Sequence, residues 1–168
     1  RDIVRKMFDL MYEARGIGLA ANQVALPYRL FVINLTSDPN EPDEEFVFIN
    51  PEITKRKGTA EGEEGCLSLP QVYGDVKRSE EITVEAYDLN GQLFEITLDD
   101  LAARAVQHEH DHIEGIMFPD RMVEAKRNEI DVLIADFESE FRHKQETGEY
   151  PPDEEIRNQL AQLEQELG

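Results

Sequence analysis

Residues 108–112, H-E-H-D-H, have the types and the spacing of a metal centre. His108 and His112 are four positions apart, so on a helix both imidazoles lie on one face and can bind the same ion. Glu109 follows the first histidine and is close enough to move a proton on a water held there. His110 lies about 200° around the helix from His108, so we expect it to face away from the ion. The pattern predicts a metal-dependent hydrolase, although a solvated polar helix face would have similar residues.

Two histidines leave a catalytic site of the zinc type one protein ligand short. Cys66 is the only cysteine of the sequence, and in the segment E-G-C-L-S it follows Gly65, which permits a tight backbone. A thiolate is a strong ligand for iron, zinc, cobalt or nickel. His143 is a weaker candidate because it lies among charges on a later helix. From these residues alone, a metal ligand and an ordinary buried thiol are equally good interpretations of Cys66.

The composition narrows the class of protein. The net charge is -20, from 17 basic and 37 acidic side chains, which predicts no direct binding of nucleic acid. No apolar run approaches the roughly 20 residues of a membrane span. A single cysteine allows no internal disulfide and favours a reducing compartment. The chain begins at Arg1, inside a helical pattern and without an initiator methionine, so we expect a preceding segment to have been removed or left out.

Hydrophobic periodicity divides the chain into strands followed by helices. We predict strands at residues 30–34, 46–50, 53–57, 82–88 and 93–98, the last two joined by a turn at residues 89–91. We predict helices from the start of the chain to near Gly16, from a cap at Asp99 or Asp100 to Ile113, and across residues 123–144. This order predicts an α+β fold, with antiparallel sheets around a central H-E-x-x-H helix and long C-terminal helices.

The end of the chain has its own pattern. Gly148 and the prolines at 151 and 152 precede a final helix, so we predict a catalytic domain at residues 1–147 and an acidic helical tail of the same domain at residues 148–168. The tail has a stripe of apolar residues: Ile156, Leu160, Leu163 and Leu167. We expect this stripe to pack on the body of the domain, with a partner helix as the alternative. The apolar face predicted for the preceding helix consists of Ile130, Leu133, Ile134, Phe137 and Phe141.

Three short motifs, taken together, resemble one known family. Residues 16–23, G-I-G-L-A-A-N-Q, resemble a G-x-G-L-A-A-x-Q motif, and we expect this small-residue stretch to be flexible. Residues 64–68 resemble E-G-C-x-S, and residues 107–112 resemble Q-H-E-x-D-H. Many metallopeptidases share H-E-x-x-H alone, but the three motifs in this order resemble the peptide deformylases. These metalloenzymes remove the formyl group from N-formylmethionine on new proteins.

The resemblance implies roles that spacing leaves open. It implies that Cys66 is the third metal ligand. It implies two hydrogen-bond donors to the formyl oxygen, the side-chain amide of Gln23 and the backbone N–H of Leu67. It also implies a supporting ion pair between Glu64 and Arg78.

The resemblance further implies where the peptide binds. The residues expected to line the docked peptide are Gly16, Ile17, Gly18 and Gly65. Tyr73 and Ala105 are expected to border the methionine pocket, although either is also an ordinary core residue.

The resemblance also implies a cofactor, partners and a location. The cofactor is one divalent metal ion, with ferrous iron expected and zinc, nickel or cobalt as alternatives. The partners are nascent polypeptide N-termini that begin with formyl-methionine, met near the ribosome. The location is the bacterial cytoplasm, or the lumen of an organelle if a transit peptide has been removed.

Two other functions remain open at this point. A zinc endopeptidase with the same helix motif would take its third ligand downstream, where Glu124 and Glu129 are available. A binding module that had lost its activity would lack a ligand or Glu109, and none of these is missing here.

Overall fold

The structure is a computed structural model that describes residues 1–167, and it confirms the predicted α+β class. The elements run in the order α1 (Asp2–Glu13), β1 (Gly18–Ala20), β2 (Leu30–Ile33), β3 (Phe46–Lys57), β4 (Ala60–Cys66), β5 (Leu69–Arg78), β6 (Glu81–Tyr87), β7 (Leu93–Asp99), α2 (Asp100–Ile113), α3 (Glu124–Glu146) and α4 (Asp153–Leu167).

Within the described residues, the strands form two separate antiparallel sheets. The larger sheet has the order β1-β2-β3-β6-β7, and β4 pairs only with β5. Alternate residues of β2 belong to different cores: Phe31 packs with Val106 of α2, and Val32 packs with Met11 of α1. Since neighbouring side chains of a strand point to opposite faces, α1 and α2 cover the two sides of the larger sheet.

The strand predictions were partly wrong. Residues 46–57 form one strand with register shifts, where two strands were predicted. Gly18–Ala20 pairs with β2, so this part of the stretch predicted to be flexible is a strand. The β4–β5 hairpin was not predicted, because its glycines and acidic residues have low strand propensity and it forms only by pairing with itself.

Two local features were predicted just before α2: a turn between β6 and β7, and a cap at Asp99 or Asp100. The predicted turn between β6 and β7 is present: the backbone N–H of Asp88 donates to Gln92 O at 3.0 Å, and Gly91 has a φ of +74°. Asp99 occupies the N-cap position of α2, but its side chain makes no capping hydrogen bond. Asp99 is therefore at the predicted cap position but lacks the capping hydrogen bond, and the helix begins and ends near the expected residues.

The C-terminal helices pack less than the sequence suggested. Ile130 of α3 is 6% exposed and joins a small core with Val76 and Phe118. Leu133 and Phe137 are exposed, so the predicted face is only partly buried. No described residue of α4 is buried, and Leu160 is 43% exposed. Ile156, Leu163 and Leu167 are half-buried, so the structure does not confirm that this stripe packs on the body.

Among residues 1–167, no helix combines the length and the apolar character that crossing a bilayer requires.

Candidate active site

Helix α2 and the end of β4 bring three metal-binding side chains together. The ligand atoms of Cys66, His108 and His112 all lie within 4.8 Å of one another. His112 Nε2 lies 3.2 Å from Cys66 Sγ and 3.2 Å from His108 Nε2. One thiolate and two imidazoles are a donor set for a divalent ion that keeps a position open for water.

The charges in this cluster favour the thiolate. Burial raises the pKa of Cys66, but hydrogen bonds with His108 and His112 outweigh burial and lower it to about 6. Burial lowers the pKa of His108, yet its hydrogen bonds to Cys66 and Glu64 raise that pKa to about 10. The thiolate is the form that binds a metal ion, so the sulfur of Cys66 is prepared for that role.

Glu109 is the buried acid beside these three groups. Its Oε2 atom is buried and has no hydrogen-bond partner among the described residues. Burial raises the pKa of Glu109 to about 7, against the opposing effect of His108 and His112. A side chain at Gly18 would overlap the carboxylate of Glu109, so glycine in β1 leaves the space that this carboxylate occupies. A buried carboxylate oxygen without a partner, next to three converging donors, fits a site for a metal-activated water.

A buried network of charged side chains contacts the ligand His108 through Glu64. Glu64 Oε2 lies 3.0 Å from His108 Nδ1, and the same carboxylate accepts two hydrogen bonds of 2.9 Å from Arg78. Burial raises the pKa of Glu64, but hydrogen bonds with His108 and Arg78 lower it to about 2. Arg78 also bonds Asp111, which Arg121 contacts at 2.7 Å. A carboxylate on Nδ1 holds a histidine in the tautomer that offers Nε2 to a metal ion.

Gln23 also lies close to the three ligand side chains. Its Nε2 atom lies 3.7 Å from Cys66 Sγ and donates to Ser68 Oγ at 3.0 Å, while its Oε1 accepts from the Ala20 backbone at 2.8 Å. The acceptor side of the amide is thereby held by β1, so the N–H side points toward the ligands. The side chain of the neighbouring Asn22 donates to the carbonyl of His112, which ties the 3-10 helix Ala21–Val24, where both residues lie, to α2.

A cavity of about 690 Å³ opens onto this cluster. Most of the residues predicted for the site line it: Gly16, Ile17, Gly18, Gln23, Glu64, Gly65, Cys66, Leu67, Tyr73, Ala105, His108 and Glu109. Arg78 and His112 lie outside this lining and contact it through Glu64 and Cys66. The side chain of Leu67 covers Gly16, and the 59% exposed ring of Tyr73 lies over Gly65. Its volume lies within the range of about 300–1,000 Å³ that is typical of ligand pockets.

Four residues considered as possible metal ligands lie outside the cluster of Cys66, His108 and His112. Among the described residues, His110, His143, Glu124 and Glu129 contribute no ligand atom to the cluster. The expectation that His110 faces away from the ligands is therefore confirmed. The downstream acid that an endopeptidase would use is absent from the group, which removes the basis of that alternative.

Several residues of the site were missed by the sequence analysis. Asp111 and Gln107 lie inside the Q-H-E-x-D-H motif but were given no role. Gln107 donates at 2.9 Å to Ala103 O of its own helix and at 2.9 Å to Ser79 O, and the second bond ties α2 to the turn between β5 and β6. Arg104 lies four positions before His108, and this i, i+4 spacing was the signal that could have placed it on the same helix face.

Comparison with known proteins agrees with this geometry. A family model described as polypeptide deformylase matches residues 1–128. The chain is 42% identical over 164 residues to the peptide deformylase of Rhodopirellula baltica, across 98% of this chain and 81% of that protein. It is 49% identical over 128 residues to the peptide deformylase of Acidobacterium capsulatum, across 76% of this chain and 75% of that protein.

The fold agrees as well. A crystal structure of peptide deformylase 1B from Arabidopsis thaliana in complex with an inhibitor matches with a TM-score of 0.80 at 39% identity, covering 88% of this chain and 80% of that chain. This chain therefore belongs to the peptide deformylases, the metal-dependent hydrolases that remove the N-formyl group from the initiating methionine of newly made proteins.

Proposed function

We propose that this chain deformylates formyl-methionyl N-termini with Cys66, His108 and His112 as metal ligands and Glu109 as general acid and base. The observation that carries the proposal is the buried Oε2 of Glu109, which has no partner among the described residues and lies beside three converging donors. A divalent ion held by these three ligands would supply a Lewis acid and would lower the pKa of a water to about 7.

The residues of the chain then act on the substrate and its protons. Glu109 accepts the proton of the attacking water and delivers it to the methionine nitrogen as the amide bond breaks. The Gln23 amide and the Leu67 backbone N–H donate to the formyl oxygen as negative charge develops on it. Each such donor typically contributes roughly 3–4 kcal/mol to lowering the barrier. The products are formate and a free N-terminal methionine.

The peptide is proposed to bind along the cavity rim. Gly16, Ile17, Gly18 and Gly65 all line this cavity, and we propose that they border the docked peptide. Tyr73 and Ala105 are proposed to border the methionine side chain, since both line the same cavity. Glu64 and Arg78 take no part in the chemistry in this scheme, and they hold His108 in place.

The ion and the setting are part of the proposal. We propose ferrous iron, with zinc, nickel or cobalt able to replace it, because one thiolate and two imidazoles suit all four. Metal analysis of protein purified without oxygen is the direct measurement. The substrates are nascent chains met near the ribosome, in the bacterial cytoplasm or in an organelle that starts translation with formyl-methionine. The net charge of -20 makes direct contact with nucleic acid an unfavourable part of that encounter.

Discrimination between formyl and acetyl groups tests the reaction. A formyl carbon has only a hydrogen, whereas an acetyl group adds a methyl where Gly18, Glu109 and Leu67 crowd the site. We expect kcat/KM on formyl-Met peptides to exceed that on matched acetyl-Met peptides at least about 100-fold, or roughly 2.7 kcal/mol. Equal rates on the two peptides, or internal cleavage of casein, would contradict the proposal.

Removal of most of the tail tests the proposal that residues 1–147 contain everything that catalysis needs. Deleting residues 154–168 keeps Asp153 and its contacts with Arg142 and Gln145. Because no described residue of α4 is itself buried, we expect kcat/KM and the melting temperature of the truncated protein to stay close to those of the full chain. Loss of turnover in a folded, metal-loaded truncation would show that the tail takes part in catalysis.

A further inference from the structure

The position of the β4–β5 hairpin relative to α2 decides whether the three ligands meet. Cys66 ends β4, whereas His108 and His112 belong to α2. Within the described residues, β4 and β5 form a sheet of their own, with no backbone pairing to the larger sheet. Side chains must therefore hold the hairpin against the helix, and any that do so also set the distance from the sulfur to the imidazoles.

Arg104 makes the most contacts of this kind. It lies on α2 one turn before His108, and its side chain is 15% exposed. Its Nη1 atom donates to Val76 O at 3.0 Å and to Gly62 O at 3.3 Å, and its Nη2 donates to Ala60 O at 2.9 Å. One guanidinium thus binds carbonyls of both strands of the hairpin.

The same guanidinium also holds the carboxylate that supports a ligand. Arg104 Nη1 donates to Glu64 Oε1 at 2.7 Å, and Glu64 Oε2 lies 3.0 Å from His108 Nδ1. Arg78 binds this carboxylate from the hairpin side. Arg104 binds it from the helix side. The carboxylate of Glu64 therefore lies between two guanidinium groups, and both restrict its position.

The hairpin has a matching gap at Gly62. A Cβ atom there would lie 3.1 Å from both Cζ and Nη2 of Arg104, which is tighter than ordinary contact. Glycine at this position lets the planar guanidinium lie flat against β4. Gly62 and Arg104 therefore form a complementary pair, and neither has a role in the chemistry proposed above.

We propose that Arg104 is a positioning residue for the metal centre, one that docks the β4–β5 hairpin on α2 and acts on His108 through Glu64. This inference rests on the proposed ligand set of Cys66, His108 and His112. Groups that orient metal ligands typically change metal affinity roughly 10–100-fold when they are removed. We expect the loss of metal affinity on removing Arg104 to fall within that range, because Arg104 contacts both the carboxylate that holds His108 and the hairpin that carries Cys66.

The test measures the binding of cobalt(II) to folded protein, without oxygen and well below the melting temperature. Arg104→Met keeps an unbranched apolar stem in place of the arginine stem and removes the guanidinium with every donor. We expect it to weaken cobalt(II) binding roughly 10–100-fold in competition with a chelator. We also expect faster cobalt release and an altered thiolate-to-cobalt absorption band. A general loss of stability would lower the melting temperature without changing these three readouts.

Gly62→Ala carries the test if Arg104→Met does not fold. It retains the guanidinium but pushes it off β4, so cobalt(II) binding should weaken in the same direction by a smaller factor. Arg157→Met is the matched control, since it removes an exposed guanidinium from α4. Wild-type protein that fails to bind cobalt(II) or to deformylate would contradict the proposed function itself. Wild-type affinity, release rate and spectrum in a folded Arg104→Met protein would overturn only the role of Arg104.

Discussion

Glu109→Gln should retain its metal ion and lose at least about 100-fold in kcat, and up to about 10⁴-fold, the usual range for a general acid and base. Glutamine keeps the size and shape of the side chain, but it replaces one carboxylate oxygen with an NH2 group and cannot accept a proton at neutral pH. Since Glu109 is not among the three ligand residues, the affinity for the ion should be nearly unchanged. The loss should therefore appear in kcat, at full metal occupancy.

The stability of this variant is a second readout. The Oε2 atom of Glu109 is buried without a partner, so the wild-type protein bears the desolvation cost of an acid there. A neutral amide lowers the cost of burying a charge, and we expect the melting temperature of the variant to be equal to or above that of the wild type. A loss of activity caused by unfolding would show the opposite shift.

Glu63→Gln is the matched control. Glu63 is an exposed acid that lines the same cavity, and the same substitution there should leave kcat largely intact. A Glu109→Gln enzyme that keeps more than about a tenth of the wild-type rate would fall outside the range for such a group. In that case another residue would have to carry the proton.

Cys66→Ala should lose its metal ion, and with it all measurable deformylation, while the fold remains. Removing a group that only orients a ligand costs roughly 10–100-fold in metal affinity, so removing the ligand itself should cost more than about 100-fold. Cys66 is half-buried, and alanine in its place leaves a small, solvent-accessible gap rather than a large internal cavity. The melting temperature of the metal-free variant should therefore stay close to that of the metal-free wild type.

The measurement is metal content by elemental analysis, together with the spectrum of the cobalt(II)-loaded protein. The thiolate-to-cobalt charge-transfer band should be present in the wild type and absent from the variant, because the chain has no other cysteine. Peroxide should also inactivate the wild type, since oxidation of the thiolate removes a ligand. A Cys66→Ala protein that binds its ion with wild-type affinity would exclude Cys66 as a ligand.

The pair of histidines and the acid between them were determined by the sequence itself. Their geometry is local, since four positions along one helix place His108 and His112 on the same face whatever the rest of the chain does. The β6–β7 turn was predictable for a similar reason, because Gly91 meets the requirement for a positive φ within a few residues. The three motifs together identified the family, and the comparisons confirmed it.

Only the tertiary structure decided what lies far apart along the chain. Cys66 reaches the histidines through a hairpin whose glycines and acidic residues give little local signal for a strand, so neither the hairpin nor the contacts of Arg104 could be predicted from periodicity. The apolar stripe of α4 shows the reverse case, because a helical pattern predicts a buried face but cannot show whether anything lies near enough to bury it. The i, i+4 spacing and the tight turn act within a few residues, whereas packing depends on elements that meet only after the whole chain has folded.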